Sequence, residues 1–394
     1  MKSIVVIGGG ASGMAAAIEI KMKNPSLAVM LLEKNEILGR KLLATGNGRC
    51  NISNATIEGE AFVWDFIHRV GILTRREDEG RMYPFSGKAS DVVASLEKSL
   101  NRYEVEIKRN FVVSTILPEK EGFRIQSHQH EDVYAEKVIM AMGGKAAPQF
   151  GTSGEGYGIC GQLGIMVKPV FPGLTHFQVE DYREGLHGIR MKGSATLLRN
   201  GETIAMERGE IQFSKRGLSG ILLMNLSSHV VLHGEDNFSS YQIALDFMEG
   251  FSLEQVRAIM KQRVRENGYS IQDILATIVP WGLGEIILEK AGISSGRWES
   301  EIGTLTGEEL DQISLQLKEF RWKVRGLGGW KDAQITVGGV SLNEVALNTW
   351  ESRRWPGLYI VGELLDLQGP CGGFNLHLAW KTGIQAANHL VESI

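Results

Sequence analysis

Gly8, Gly10 and Gly13 stand in a G-x-G-x-x-G spacing directly after a short apolar run, and Glu33 follows about 20 residues on. Gly8 permits a tight turn, Gly10 lets backbone approach a diphosphate, and Gly13 lets a helix pack closely on a sheet. The helix that opens there offers free N–H groups and a positive dipole end to the diphosphate. Glu33 stands where a carboxylate accepts hydrogen bonds from a ribose diol, and a carboxylate rather than Arg disfavours a 2′-phosphate. This chemistry is that of an adenosine diphosphate half, from either NAD or FAD. A second stretch, "GRKLLATGNGRCNISN" (Gly39–Asn54), contains no acidic residue, while Glu36 precedes it and Glu58 follows. Arg40, Lys41 and Arg49 supply positive charge, Gly46 and Gly48 let backbone pass close to a cofactor, and Asn47 and Asn51 offer donors and acceptors. A third stretch lies near the C-terminus. Gly362-Glu363 ends an apolar run and can aim a carboxylate at a ribityl hydroxyl. Gly372-Gly373 precedes a helix whose free N–H groups suit the flavin N1/O2 edge, where negative charge gathers on reduction.

The elements that must position these residues are legible at the N-terminus. Ser3–Ile7 reads as a strand, Gly13 to about Lys23 as a helix stopped by Asn24-Pro25, and Ala28–Leu32 as a second buried strand. Such a βαβ opening implies a parallel sheet. "SDVVASLEKSL" (90–100) reads as a helix with a Ser or Asp cap. The stretch from Glu104 reads as strands in a meander with turns at 119–122 and 128–132, ending in a strand at Lys137–Met142 before Gly143-Gly144. From about Leu186 to Val231 the pattern is β-rich, with an Asn200-Gly201 hairpin signal. Helical spacing returns in "SLEQVRAIMKQRVRENG" and "TGEELDQISLQLKEF", each with a Ser or Thr start. Trp355–Ile394 gives strand, Gly-rich turn and helix. The expected organisation is a Rossmann-like α/β FAD-binding domain in two pieces, 1–188 and 333–394, with a β-rich then helical insertion at 189–332. The two ends must then meet around one extended cofactor, which FAD spans more naturally than NAD.

Composition bounds the function. The chain has 394 residues, 43% apolar and 22% charged, which is ordinary for a globular protein. Its 48 glycines exceed the usual ~7%, so backbone must pass close to something in many places. A net charge of −4 and the absence of a basic stripe argue against a nucleic-acid partner. Three cysteines without a C-x-x-C pair fit a reducing, cytoplasmic location. No uninterrupted apolar run of about 18 residues is present, so no membrane span is expected.

The combination of "VVIGGGASGMAAA", "GRKLLATGNGRCNISN", "MYPFSGKASDVV", "GGKAAPQFGTSGEGYGI", "AQITVGGVSL" and "GLYIVGELLDLQGPCGGFNLHLAWKTG" resembles the BaiN/RdsA-like family of bacterial NAD(P)/FAD-dependent oxidoreductases, which includes aminoacetone oxidases and a bile-acid-pathway reductase. The resemblance runs end to end. It implies a discontinuous FAD domain with an inserted β-barrel-plus-helices domain. By that resemblance Gly8, Gly10, Ser12, Gly13 and Glu33 match the ADP-binding motif. Arg40, Lys41, Thr45, Gly46, Asn47, Arg49 and Asn51 match the FAD-contacting loop. Gly362, Glu363, Gly373, Phe374 and Asn375 match the C-terminal flavin motif. Ala11, Lys34, Cys50, Val112, Ala141 and Gly143 are added to the candidate cofactor set. One departure is His377, where the family often carries Gln.

The activity expected is hydride transfer between an organic substrate and flavin N5, with NAD(P)H as a transient donor to a reductase of an enone or related small molecule. No second strand–G-x-G-x-x-G–helix unit is present to hold that donor. An oxygen-using amine oxidase, a FAD-dependent RNA-modifying protein and a flavin sensor without turnover are the competing classes. No residue declares itself as the catalytic acid or base, the nine histidines show no metal-ligand spacing, and oligomeric state is not readable. Cys50 and Cys371 read as packing thiols before a redox pair. His377 reads equally as a structural residue or a proton donor. Arg81 and Tyr83 stand as an ordinary loop or a substrate-facing one, Lys215-Arg216 as a solvated turn, and "RWKVRGLGGWK" as interdomain packing before a nucleic-acid site.

Overall fold

The computed structural model describes residues 3–232, 238–265 and 268–394. Strand β1 (Ser3–Ile7), helix α1 (Ala11–Lys23) and strand β2 (Ala28–Leu32) form the opening unit. β1 lies at the centre of a five-stranded parallel sheet, between β2 and the strand Lys137–Met140. Glu106–Lys108 extends the sheet beyond β2, and Leu358–Ile360 closes the other edge beside Lys137–Met140. The near-continuous apolar runs follow from burial on both faces of a parallel sheet. Residues from the far end of the chain thus complete the sheet that residues 3–7 begin.

The chain divides into two compact units, one of residues 1–173 with 330–394, the other of residues 174–329. The first boundary falls at Gly173, earlier than the 188 read from the sequence, because Phe177–Val179 is a barrel strand paired with Gly217–Ser219 and Phe320–Leu327. In the first unit Val113–Glu119, Gly122–Ser127 and Val133–Ala135 form the meander, and Ala89–Arg102 is the helix that follows Lys88. That helix has no side-chain cap; Ser90 and Asp91 lie in its first turn instead.

The second unit is a closed six-stranded barrel with helices. Phe320–Leu327 alternates buried and exposed along nearly its whole length, the period-2 pattern of a strand with one face inward. Asn200 and Gly201 both have positive φ, as a type I′ hairpin turn requires. The helices Leu253–Arg263 and Gly307–Lys318 both carry full capping boxes, Ser252 with Gln255 and Thr306 with Glu309. One reading is corrected: Ile221–Leu232, inside the stretch taken as β-rich, is a helix. Leu222, Leu223, Leu226 and Val230 are buried at helical spacing, but a segment apolar on most sides shows little contrast between faces.

The final helix, Phe374–Glu392, packs against α1 through Gly383, where a Cβ would lie 2.3 Å from the Ser12 carbonyl oxygen. Gly383→Val should therefore force the two helices apart at a cost of about 1–3 kcal/mol. A lower thermal midpoint is expected, while an unchanged midpoint would show that this approach constrains nothing.

Candidate functional site

A groove in the first unit runs from the Gly8–Ser12 turn past Glu33 to Glu363 and Asn375. Its lining draws on both ends of the chain, from residues 7–45 to residues 362–379. That spread of lining residues favours an extended ligand.

The turn between β1 and α1 is built by close approach. A Cβ on Gly8, which has φ +110°, would lie 2.3 Å from the Ala141 carbonyl oxygen, and one on Gly13 would lie 1.9 Å from the Gly8 carbonyl oxygen. α1 starts at Gly10 with no side-chain cap and no acidic residue in its first turn, so its leading N–H groups are left for an anion. Glu33 is buried in the adjoining wall. Its Oε2 accepts from Gly9 N at 2.7 Å, and its Oε1 accepts from Asn35 N at 2.8 Å and Asn35 Nδ2 at 2.6 Å. Three donors leave room among about four acceptor positions for a ribose hydroxyl.

The basic residues of the groove are already partnered. Lys34 pairs with Glu155. Burial alone would raise the Glu155 carboxyl, but hydrogen bonds from Lys34 and Ser153 hold it down at about 2. Arg40 donates to Asn35 Oδ1 at 2.9 Å and to Gln149 O at 3.1 Å. Lys41 Nζ meets Glu363 Oε2 at 2.6 Å. Glu363 Oε1 in turn accepts from Thr336 N at 2.8 Å and Thr336 Oγ1 at 3.1 Å. The carboxylate expected to face a ribityl hydroxyl thus also ties the N-terminal loop to the C-terminal segment.

At the other end, the final helix begins at Gly373, with φ +102° and no side-chain cap. Asn375 clamps the loop before it: Oδ1 accepts from Gly369 N, and Nδ2 donates to Gly369 O and Pro370 O. The loop is held by a side chain, and the first-turn N–H groups remain available. Two uncapped helix N-termini, a glycine cradle and a buried carboxylate in one long groove fit FAD.

Of the sequence-derived candidates, Gly8, Gly10, Ala11, Ser12 and Glu33 line this groove, as do Lys34, Arg40, Lys41 and Thr45. Val112, Ala141, Gly143, Gly362, Glu363 and Asn375 line it too. Gly13 packs behind the turn. Gly46, Asn47, Arg49, Cys50 and Asn51 continue past Thr45 without joining the lining, and Gly373 and Phe374 stand beside it. Arg49 pairs with Glu77 at 2.5 Å and its guanidinium lies 4.1 Å from the Tyr83 ring centroid. Asn51 Oδ1 is buried without a partner, against the position a Gly373 Cβ would take. Residues the sequence reading passed over include Phe111 and a strap at Phe150–Thr152, which also line the groove. The strap belongs to "GGKAAPQFGTSGEGYGI", a stretch in which the resemblance implies a contact at Gly143 alone.

His377 is fully buried, with Nδ1 2.6 Å from Ser53 Oγ and Nε2 2.6 Å from Glu60 Oε2. Cys50 is also fully buried, and burial pushes its thiol up to about 12, as it does for Cys160. Among the described residues no group of three or more His, Cys, Asp or Glu side chains is placed to hold a metal ion, and no helix is long and apolar enough to cross a membrane.

Fold and site define a Rossmann-type flavoprotein, an FAD-dependent oxidoreductase. The description "HI0933-like protein Rossmann domain" matches residues 2–66 and 60–389, and the chain belongs to that family. It is 32% identical to a 3-dehydro-bile acid delta(4,6)-reductase of Clostridium scindens, over all of both chains. It is 28% identical to a ribosomal RNA dihydrouridine synthase of Escherichia coli, over 99% of this chain and 98% of the other. Among solved structures, 3-ketosteroid delta1-dehydrogenase from Sterolibacterium denitrificans shares the fold with a TM-score of 0.51 at 12% identity, over the whole of both chains.

Buried thiols this far from ionisation should be unreactive. In the native protein at pH 8, Cys50 and Cys160 should resist a thiol-specific disulfide reagent, and both should react on denaturation. Rapid native labelling of Cys50 would contradict its burial.

Proposed function

We propose that the protein reduces a carbon–carbon double bond conjugated to a carbonyl in a small organic molecule, with NADH or NADPH as the reductant. The observation that carries this reading is full-length similarity to a reductase whose name specifies such bonds, joined to a groove whose lining residues suit FAD. When bound, FAD supplies hydride transfer chemistry. The chain's part is to bind and orient. The first turn of α1 receives the diphosphate, Glu33 the adenosine ribose, and the first turn of the final helix the edge of the ring system that gains negative charge. Lys41 and Glu363 hold the middle of the groove together.

A second reading has a specific observation in its favour. The relative of Escherichia coli is named for reduction of uridine in ribosomal RNA, and the uracil double bond is likewise conjugated to a carbonyl. The same chemistry would then act on a base within a nucleic acid.

Anaerobic mixing with NADH or NADPH should bleach the flavin absorbance, and an enone acceptor should restore it faster than dissolved oxygen does. Restoration by a uridine-containing ribosomal RNA fragment, but not by enones, would select the second reading. Fast reoxidation by oxygen with peroxide release, after reduction by an amine, would contradict both.

A further inference from the structure

The buried histidine at the start of the final helix is not used by the chemistry above. Its surroundings are unusually complete. His377 is 1% exposed. The charged groups facing it are Glu60, at the N-cap of the helix Ala61–Arg69, and Lys381, one turn further along its own helix. Lys381 also pairs with Glu60. The Ser53 hydroxyl approaches from the strand Ser53–Asn54, and the Trp64 ring lies 6.3 Å away, centroid to centroid.

These contacts fix the tautomer. Burial would raise the Glu60 carboxyl, yet hydrogen bonds from Lys381 and His377 hold it below its usual range. Glu60 is therefore an acceptor, and Nε2 of His377 must donate to it. Burial lowers the proton affinity of the imidazole, and Glu60 only partly offsets that. A neutral ring with its proton on Nε2 has an unprotonated Nδ1, so Ser53 donates its hydroxyl proton to Nδ1. Each partner of the ring is thereby assigned one role.

Ser53 and His377 also both contact Gly373, where the final helix begins. A Cβ on Gly373 would lie 2.3 Å from the Ser53 carbonyl oxygen and 2.9 Å from Asn51 Oδ1. His377 N donates to Gly373 O at 3.0 Å. The strand that carries Ser53 thus rests on the first turn of the helix whose Asn375, Leu376 and Leu378 line the groove.

We propose that His377 is a positioning residue: held between Glu60 and Ser53 as the Nε2–H tautomer, it keeps the Asn51–Asn54 segment docked on the first turn of the final helix and so shapes the ring end of the FAD groove. The proposal rests on the reading that FAD occupies this groove. It makes cofactor binding sensitive to pH. A protonated ring would be a donor at Nδ1 as well, and the hydroxyl proton of Ser53, which is fully buried, would lose its acceptor. The folded-state proton affinity lies below the ordinary 6.5. The contribution is therefore present above pH 6.5 and lost as pH falls through the folded value. A glutamine amide carries one acceptor, which can take the Ser53 proton, and one donor group for Glu60, and it does not titrate in this range.

The test compares wild type, His377→Gln and His377→Ala by FAD dissociation constant and flavin absorbance spectrum between pH 8 and pH 5. Wild type should weaken as the pH falls through the folded value, which lies below 6.5. His377→Gln should match wild type at pH 8 and lose that dependence, and His377→Ala should bind FAD about tenfold more weakly even at pH 8. A Gln variant that titrates like wild type, or an Ala variant that binds as tightly, would overturn the proposal. The ¹⁵N resonances of His377 in labelled protein provide a readout independent of FAD: the neutral Nε2–H tautomer is expected at pH 7.5, and an imidazolium or the Nδ1–H tautomer would overturn it. Wild type that binds no FAD at pH 8 would instead defeat the groove reading, with the tautomer measurement still deciding the clamp.

Discussion

The structure depends on one crowded point, the first turn of α1. Three other pieces of backbone reach it through glycines. Gly13 lets α1 pass the carbonyl of Gly8, Gly383 lets the final helix meet the carbonyl of Ser12, and a Cβ on Gly362 would lie 2.5 Å from Ser12 Oγ. Gly8 in turn lies against Ala141, at the end of the neighbouring strand. Interiors are close-packed, so a methyl group at Gly8, Gly13 or Gly383 must displace backbone, and one at Gly362 must displace the Ser12 side chain. The glycine excess of the chain has one clear outlet here. The same crowding brings residues 362–383 to a site begun by residues 8–13, which is why the cofactor unit is discontinuous.

Charge in the groove follows from this arrangement. The side chains that look from sequence like a basic cradle are tied to neighbours: Lys34 to Glu155, Arg40 to Asn35 and Gln149, Lys41 to Glu363. Partly exposed pairs of this kind contribute roughly 0–1 kcal/mol each to stability, so their effect is chiefly to fix loop geometry. The unpaired positive potential comes from backbone, from the leading N–H groups of α1 and of the final helix. A helix terminus pointed at a diphosphate needs no side chain to reorganise.

Much of this was readable because local signals were strong. The βαβ opening announced itself through an apolar strand, three spaced glycines and an acidic residue at the end of β2, and the strands at Ser3–Ile7 and Ala28–Leu32 have the bounds read from the residues. Two helices of the second unit were marked by Ser252 and Thr306, whose capping boxes are complete in the structure. What escaped notice lacked a local signal. Ile221–Leu232 is too uniformly apolar to show its period. Phe111 and the Phe150–Thr152 strap reach the groove through tertiary contacts alone. Arg49 looks from its spacing like its neighbours Arg40 and Lys41, but Glu77 and Tyr83, distant in sequence, take its guanidinium. The partners of His377, Ser53 and Glu60, lie more than 300 residues away and could not be inferred from spacing.

The central claim is that both ends of the groove bind parts of one cofactor. Titrating the apoprotein with FAD, FMN and NAD, with flavin fluorescence for the first two and calorimetry for all three, tests it directly. The account predicts one FAD per chain, bound far more tightly than either FMN, which lacks the adenosine half, or NAD, which lacks the flavin. Equal affinity for FMN and FAD would mean that Glu33 and the α1 turn contribute nothing, and would contradict it.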